Sequence, residues 1–307
     1  MVRTRVLVGS SLLVGFLLVA WLDGYADGGP VFHILIGALM VVTLLEVYGL
    51  AERQGNEPLK IVPLVLVVCL VAGDYAARVL LVATSGPLVA HSASGPLAPT
   101  LAPIAGNGLP LPRNTAALWN FYAPMGIAAV ASLTVLATAQ LPARSPQQWL
   151  ASAPVTALGF LYVWFFGAHL FAIRGFGMGY VLAFLGVAKL GDAGAYFVGS
   201  RWGRFRLAPL TSPKKTVEGA IAGLAASTLS AVAIARIFRL ESGIGFWALF
   251  GAVVGLASQV GDMVESALKR SAGAKDSGQL LPTFGGILDV VDSPLFSAPV
   301  AFWLLVV

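Results

Sequence analysis

The chain has 307 residues, of which 58% are hydrophobic and only 11% charged. A soluble surface carries roughly 25% charged residues, so this composition excludes an ordinary soluble globule, and the apolar content excludes a disordered chain. With a net charge of +5 and a mean hydropathy of +0.85, the expected fold class is all-α: a polytopic integral membrane protein with no nucleic-acid partner, its excess Lys and Arg marking the cytoplasmic face.

A spanning helix needs about 20 mostly apolar residues. Apolar runs of that kind lie near 5–22, 31–50, 60–82, 123–142, 151–173, 177–200, 217–235, 244–264 and 288–307, about nine candidate spans in all. With the N-terminus in the cytoplasm, thirteen Lys and Arg fall on the cytoplasmic side and five outside (Arg78, Arg113, Arg174, Arg236 and Arg239), with Lys189 inside a span. That asymmetry favours a cytoplasmic N-terminus. The stretch from about 85 to 122 holds Pro87, Pro96, Pro99, Pro103, Pro110 and Pro112, and reads as an external Pro/Gly-rich loop. Residues 1–150 are expected to form an N-terminal set of spans, and residues 151–307 a C-terminal catalytic region. Cys69 is the single cysteine, and His33, His91 and His169 stand far apart, so no thiolate or histidine metal site is expected.

Charge returns to the apolar background from residue 189 onward. An ionisable group at a span centre costs roughly 2.5–3.5 kcal/mol on insertion scales, so a cluster of them needs partners, water or a ligand. Lys189, Asp192, Tyr196 and Ser200 form one helical stripe. Downstream come Arg201, Arg204 and Arg206, then Ser212, Pro213, Lys214, Lys215 and Thr216. Ser212 before Pro213 predicts a helix N-cap and first turn, where free N–H groups and two lysines suit a phosphate. A basic loop lying on lipid headgroups is the simpler alternative for this stretch alone.

Asp262, Glu265, Ser266, Lys269 and Arg270 then share one side of a helix, followed by Lys275 and Asp276. After a Pro282-Thr-Phe284-Gly285-Gly286 turn, Asp289 and Asp292 face the same way at the start of the last span. Facing carboxylates against a low-dielectric wall repel unless a cation sits between them. Oxygen ligands with neither Cys nor His point to Mg²⁺, which is bound by one or two carboxylates together with substrate phosphates. A network of internal salt bridges is the alternative.

On these residues the sequence resembles the phosphatidate cytidylyltransferases (CDP-diacylglycerol synthases). That family's S-x-x-K-R, four residues, K-D is matched by Ser266-Ala-Leu-Lys269-Arg270 and Lys275-Asp276. Its glycine-pair loop and D-R-x-D are matched by Gly285-Gly286 and Asp289-Val-Val-Asp292. Its D-x-G-A-Y-x-x-G and S-P-x-K-T-x-x-G are matched by Asp192 to Gly199 and Ser212 to Gly219. Phe284 stands where the family has histidine, and Val290 where it has arginine.

The resemblance implies transfer of a cytidylyl group from CTP to phosphatidate, giving CDP-diacylglycerol and pyrophosphate, in a bacterial inner membrane with the site facing the cytoplasm. It implies Mg²⁺, with a second cation such as K⁺, held by Asp262, Asp289 and Asp292. Lys269, Arg270, Lys275 and Asp276 are then the catalytic candidates. Asp192, Tyr196, Ser212, Lys214, Lys215, Thr216, Ser266, Gly285 and Gly286 are the substrate-binding candidates. A homodimer is what the family suggests. Two other classes stay open on the residues alone: an ion-coupled transporter with intramembrane acids, and a CTP-dependent lipid kinase.

Overall fold

The computed structural model describes residues 15–19, 22–23, 30–85, 113–281 and 285–306. The expected first span (5–22), most of the Pro/Gly-rich loop, and Pro282 and Phe284 of the glycine-pair turn lie wholly or largely outside the described residues. Among those described, eight helices are long and apolar enough to cross a membrane. They are α1 (Pro30–Arg53), α2 (Ile61–Ser85), α3 (Arg113–Gln140), α4 (Pro146–Phe176), α5 (Met178–Trp202), α6 (Val217–Ile237), α7 (Ile244–Ser271) and α8 (Leu288–Val306). Helices are forced on these segments because lipid offers nothing to satisfy a bare N–H or C=O. The result is an all-α integral membrane protein, with one small exception: a two-stranded antiparallel hairpin of β1 (Arg206–Ala208) and β2 (Ser212–Thr216).

Two local expectations change. The loop expected to reach residue 122 ends earlier, because α3 already begins at Arg113 and runs through Pro124. Residues 114–123 contain neither Pro nor Gly, and a proline inside a membrane helix is tolerated. The helix start expected at Ser212 lies instead at Thr216. Its hydroxyl caps α6 by accepting from Gly219 N at 3.2 Å, while Ser212 and Lys214 lie in β2. Pairing with β1 satisfies the backbone of 212–216, so the helical turn that Ser-Pro favours locally does not form.

The chain divides within α4 into two compact units, at Phe165/Phe166. In the first, Tyr48 Oη donates to the Thr156 carbonyl at 2.8 Å, and Thr156 Oγ1 accepts from Leu59 N at 2.9 Å. His33 and Arg78 both reach Asp74 Oδ2, at 3.0 and 2.8 Å. In the second unit, Gly residues bring α5, α6 and α7 to near backbone contact, as small residues do in membrane interfaces. A Cβ at Gly219 would lie 2.8 Å from the Ala195 carbonyl oxygen, and one at Gly251 would lie 2.7 Å from the Ser227 oxygen and from Thr228 Cα. Phe166 stacks on Phe296 at 5.2 Å and ties α8 to the end of α4.

Candidate active site

Apart from Arg174, Arg236, Arg239 and Glu241, the charged residues of the second unit gather toward the end where α5 ends, α6 begins, α7 ends and α8 begins. Close packing of α5 on α6 and of α6 on α7 sets this end. On α5, Lys189 Nζ lies 3.5 Å from Asp192 Oδ2. Across from it, Lys215 at the end of β2 reaches Asp262 Oδ2 on α7 at 2.6 Å. Between them lies a cavity of about 500 Å³, lined by Asp192, Tyr196, Ser200, Arg206, Lys214, Lys215, Thr216, Gln259 and Asp262, among others. Two acids, three bases and several hydroxyls on its wall suit a phosphate-bearing ligand. Gln259, one helical turn before Asp262, is fixed by donating from Nε2 to the Ala220 carbonyl at 3.0 Å.

From Asp262 in the cavity wall inward, the acids divide into two groups. The carboxylates of Asp262, Glu265 and Asp292 each present an oxygen within 4.8 Å of the others. Glu265 is completely buried; Lys269 Nζ is 2.7 Å from its Oε2 as an ion pair, yet neither oxygen has an aligned hydrogen-bond partner. A buried carboxylate with such incomplete partnering is costly, and a cation shared with Asp262 and Asp292 would satisfy it. The donor set is all oxygen, which fits Mg²⁺ rather than a soft metal. Asp292 Oδ1 also accepts from Ser293 N at 2.6 Å and from Ser293 Oγ at 3.2 Å.

Asp289 faces a different set of partners. Its Oδ1 takes Lys269 Nζ at 2.5 Å, while Oδ2 accepts from Ser277 N and Oγ, both at 2.9 Å, and from Gly286 N at 2.7 Å. The glycine pair makes this possible. Gly285 has φ +93°, closes a two-way bridge with Leu281, and leaves no room for a Cβ, which would lie 2.5 Å from Asp289 Oδ2. Lys269 therefore joins Glu265 to Asp289, and α7 to α8.

Among the described residues, the remaining candidates form no hydrogen bond or ion pair with the three grouped carboxylates. Arg270 is exposed and donates from one Nη to the Ala274 carbonyl at 2.9 Å. Lys275 and Asp276 are exposed in the turn after α7, and Ser266 is buried on α7 beside Glu265. Ser212 pairs with Ala208 and does not line the cavity, and Tyr196 lines it while staying largely exposed. Glu265 was visible on the α7 stripe, one turn from Asp262, but was not placed in the metal set. Gln259 and Ser277 were not singled out, although Gln259 sits one turn before Asp262 and Ser277 directly follows Lys275-Asp276.

The chain is similar to the phosphatidate cytidylyltransferase of Staphylococcus aureus, 36% identical over 179 residues, covering 58% of this chain and 65% of that one. It is 37% identical over 177 residues to that of Staphylococcus haemolyticus, covering 57% and 65%. To that of Synechocystis sp. it is 45% identical over 119 residues, covering 38% and 39%. The chain thus spans just under two thirds of the length of the staphylococcal relatives, 65% in each case. Residues 3–307 match the profile of the cytidylyltransferase family, and the chain belongs to that family.

Proposed function

We propose that this protein is a phosphatidate cytidylyltransferase, joining phosphatidate to CTP to give CDP-diacylglycerol and pyrophosphate. The observation that carries the reading is the carboxylate group of Asp262, Glu265 and Asp292 directly beside a cavity walled by Lys214, Lys215 and Arg206. Relatives named for this activity support the choice of substrates.

An oxygen of the lipid phosphate attacks the α-phosphorus of CTP, the bond from that phosphorus to the bridging oxygen breaks, and pyrophosphate leaves. A phosphate monoester dianion is already a nucleophile, so the residues need to position and neutralise rather than to deprotonate. Asp262, Glu265 and Asp292 would hold Mg²⁺, with Asp289 anchoring Lys269 beside them and a second cation such as K⁺ completing the charge balance. When bound, the metal supplies charge neutralisation on the nucleotide phosphates. Lys215, Lys214 and Thr216 hold phosphate oxygens at the head of α6. Asp192 and Lys189 orient one another on the facing wall. Lys269 keeps Glu265 and Asp289 in place, and Arg270, Lys275 and Asp276 guide charge at the rim. The site opens to the cytoplasm of a bacterial inner membrane, where CTP is available, and two copies assemble as a homodimer.

The purified protein in detergent, given phosphatidate, CTP labelled on its α-phosphate, and Mg²⁺, is expected to form labelled CDP-lipid and pyrophosphate in equal amounts. Release of CDP instead would identify a lipid kinase. No labelled lipid, with a staphylococcal relative active in parallel, would overturn the assignment.

A further inference from the structure

The connection between α5 and α6 carries more than the cavity wall. Residues 201–215 include Arg201, Arg204, Arg206, Lys214 and Lys215 and no acid. The same segment holds Trp202, Phe205 and Leu210, exposed by 62%, 71% and 94%. Trp202 is the last residue of its span and Phe205 and Leu210 lie past it, where a membrane protein meets water, yet nothing in the described structure covers these three. Trp202 ends one span and Val217 begins the next, so the hairpin between them must stay at the membrane boundary. Arg201 lies over the Trp202 ring at 5.6 Å, which holds a cation and an aromatic face together at that depth. Glu218, the nearest acid in sequence, is occupied by the Phe205 N–H at 3.3 Å.

We propose that this hairpin is an interfacial anchor that docks on the leaflet beside it and recognises anionic phospholipid headgroups. Leu210 and Phe205 enter the headgroup–acyl boundary, Trp202 sits at headgroup level, and Arg201 and Arg204 pair with lipid phosphates. Aromatic and aliphatic side chains with basic neighbours are the composition that such surfaces select. The charge sign decides the occupant: Arg201 and Arg204, the two cations of this segment that do not line the cavity, stand beside the exposed apolar side chains and match an anionic lipid surface. None of Arg201, Trp202, Arg204, Phe205 or Leu210 lines the cavity, so the surface is separate from the site assigned to substrate and stands whether or not that assignment does.

The test reads position rather than activity. Leu210→Cys in a Cys69→Ser background removes almost no packing, since Leu210 is the most exposed of these side chains. The cysteine carries a solvatochromic dye, and the full chain is placed in nanodiscs of phosphatidylcholine with or without phosphatidylglycerol. Expected are blue-shifted emission and quenching by shallow spin-labelled lipid in the anionic discs, both reduced in neutral discs and at high salt. Arg201→Gln and Arg204→Gln should each lower the docked-to-undocked ratio about fivefold, the fold-change of about 1 kcal/mol per basic residue near an anionic leaflet. Emission of a fully hydrated dye in anionic discs overturns the proposal. So does a blue shift without lipid quenching, which would mean burial against protein, a second copy included. Reversal by inorganic phosphate, but not by chloride at equal ionic strength, would mean a simple anion site and overturns it equally.

Discussion

At Lys269 one ammonium serves two carboxylates, 2.7 Å from Glu265 and 2.5 Å from Asp289. Removing one partner of a buried pair leaves an uncompensated charge, a loss of about 3–5 kcal/mol. Lys269→Met should therefore lower the unfolding temperature in detergent sharply, and adding Glu265→Gln should recover part of the loss by removing one stranded charge. Glu265→Gln alone separates ligand from strut. The uncharged protein should melt no lower than the parent, because the costly buried carboxylate is gone. Yet the rise in melting temperature expected when Mg²⁺ is added to the parent should disappear. At a hundredfold excess over Kd that rise corresponds to about 2.7 kcal/mol. Undiminished stabilisation by Mg²⁺ in Glu265→Gln would remove the residue from the metal set.

The elements act through the closeness of their backbones. A side chain at Gly251 would meet the Ser227 oxygen, Thr228 Cα and Ala231 Cβ, all within 2.8 Å, and backbone cannot step aside as a flexible side chain can. Gly251→Val should cost about 1–3 kcal/mol by overpacking, measured by thermal unfolding. It should also lower cytidylyl transfer, because the same α6–α7 seam sets the 2.6 Å pair of Lys215 and Asp262. At this scale the spans were legible beforehand, since twenty apolar residues state their own helix; α2, expected over 60–82, runs Ile61–Ser85. The hairpin was not, because Ser212-Pro213 gives a local helix signal and the strand depends on a partner, Arg206–Ala208, that periodicity does not reveal. The placement of the acids was legible in part. Helix phase puts Asp262 and Glu265 on one side, but which carboxylate of the last span joins them turns on backbone donors. Ser277 N and Gly286 N draw Asp289 toward the turn, while Asp292 turns to Asp262 and Glu265.

Over the whole molecule, charge is sorted by end. In the second unit Arg174, Arg236, Arg239 and Glu241 mark the end opposite the candidate site, and the remaining bases cluster at or near it. The excess of Lys and Arg at the site end predicts that this end faces the cytoplasm. In a Cys69→Ser background, a membrane-impermeant maleimide added to intact spheroplasts should label Glu241→Cys and spare Gln279→Cys. Permeabilised cells should show both labelled. The reverse pattern would invert the orientation.

If the site holds a cation and a nucleotide as proposed, the contact between Lys215 and Asp262 would make the two binding events answerable to each other. Asp262 Oδ2 at 2.6 Å from the ammonium is also one of three oxygens grouped for a cation. A cation that draws on this carboxylate loosens its hold on Lys215 and turns that ammonium toward the cavity; a phosphate that captures Lys215 leaves Asp262 freer for the cation. By linkage, each must tighten the other by the same factor. The unit of recognition would then be neither ion nor nucleotide separately but the pair, with this one salt bridge as the latch that both must open.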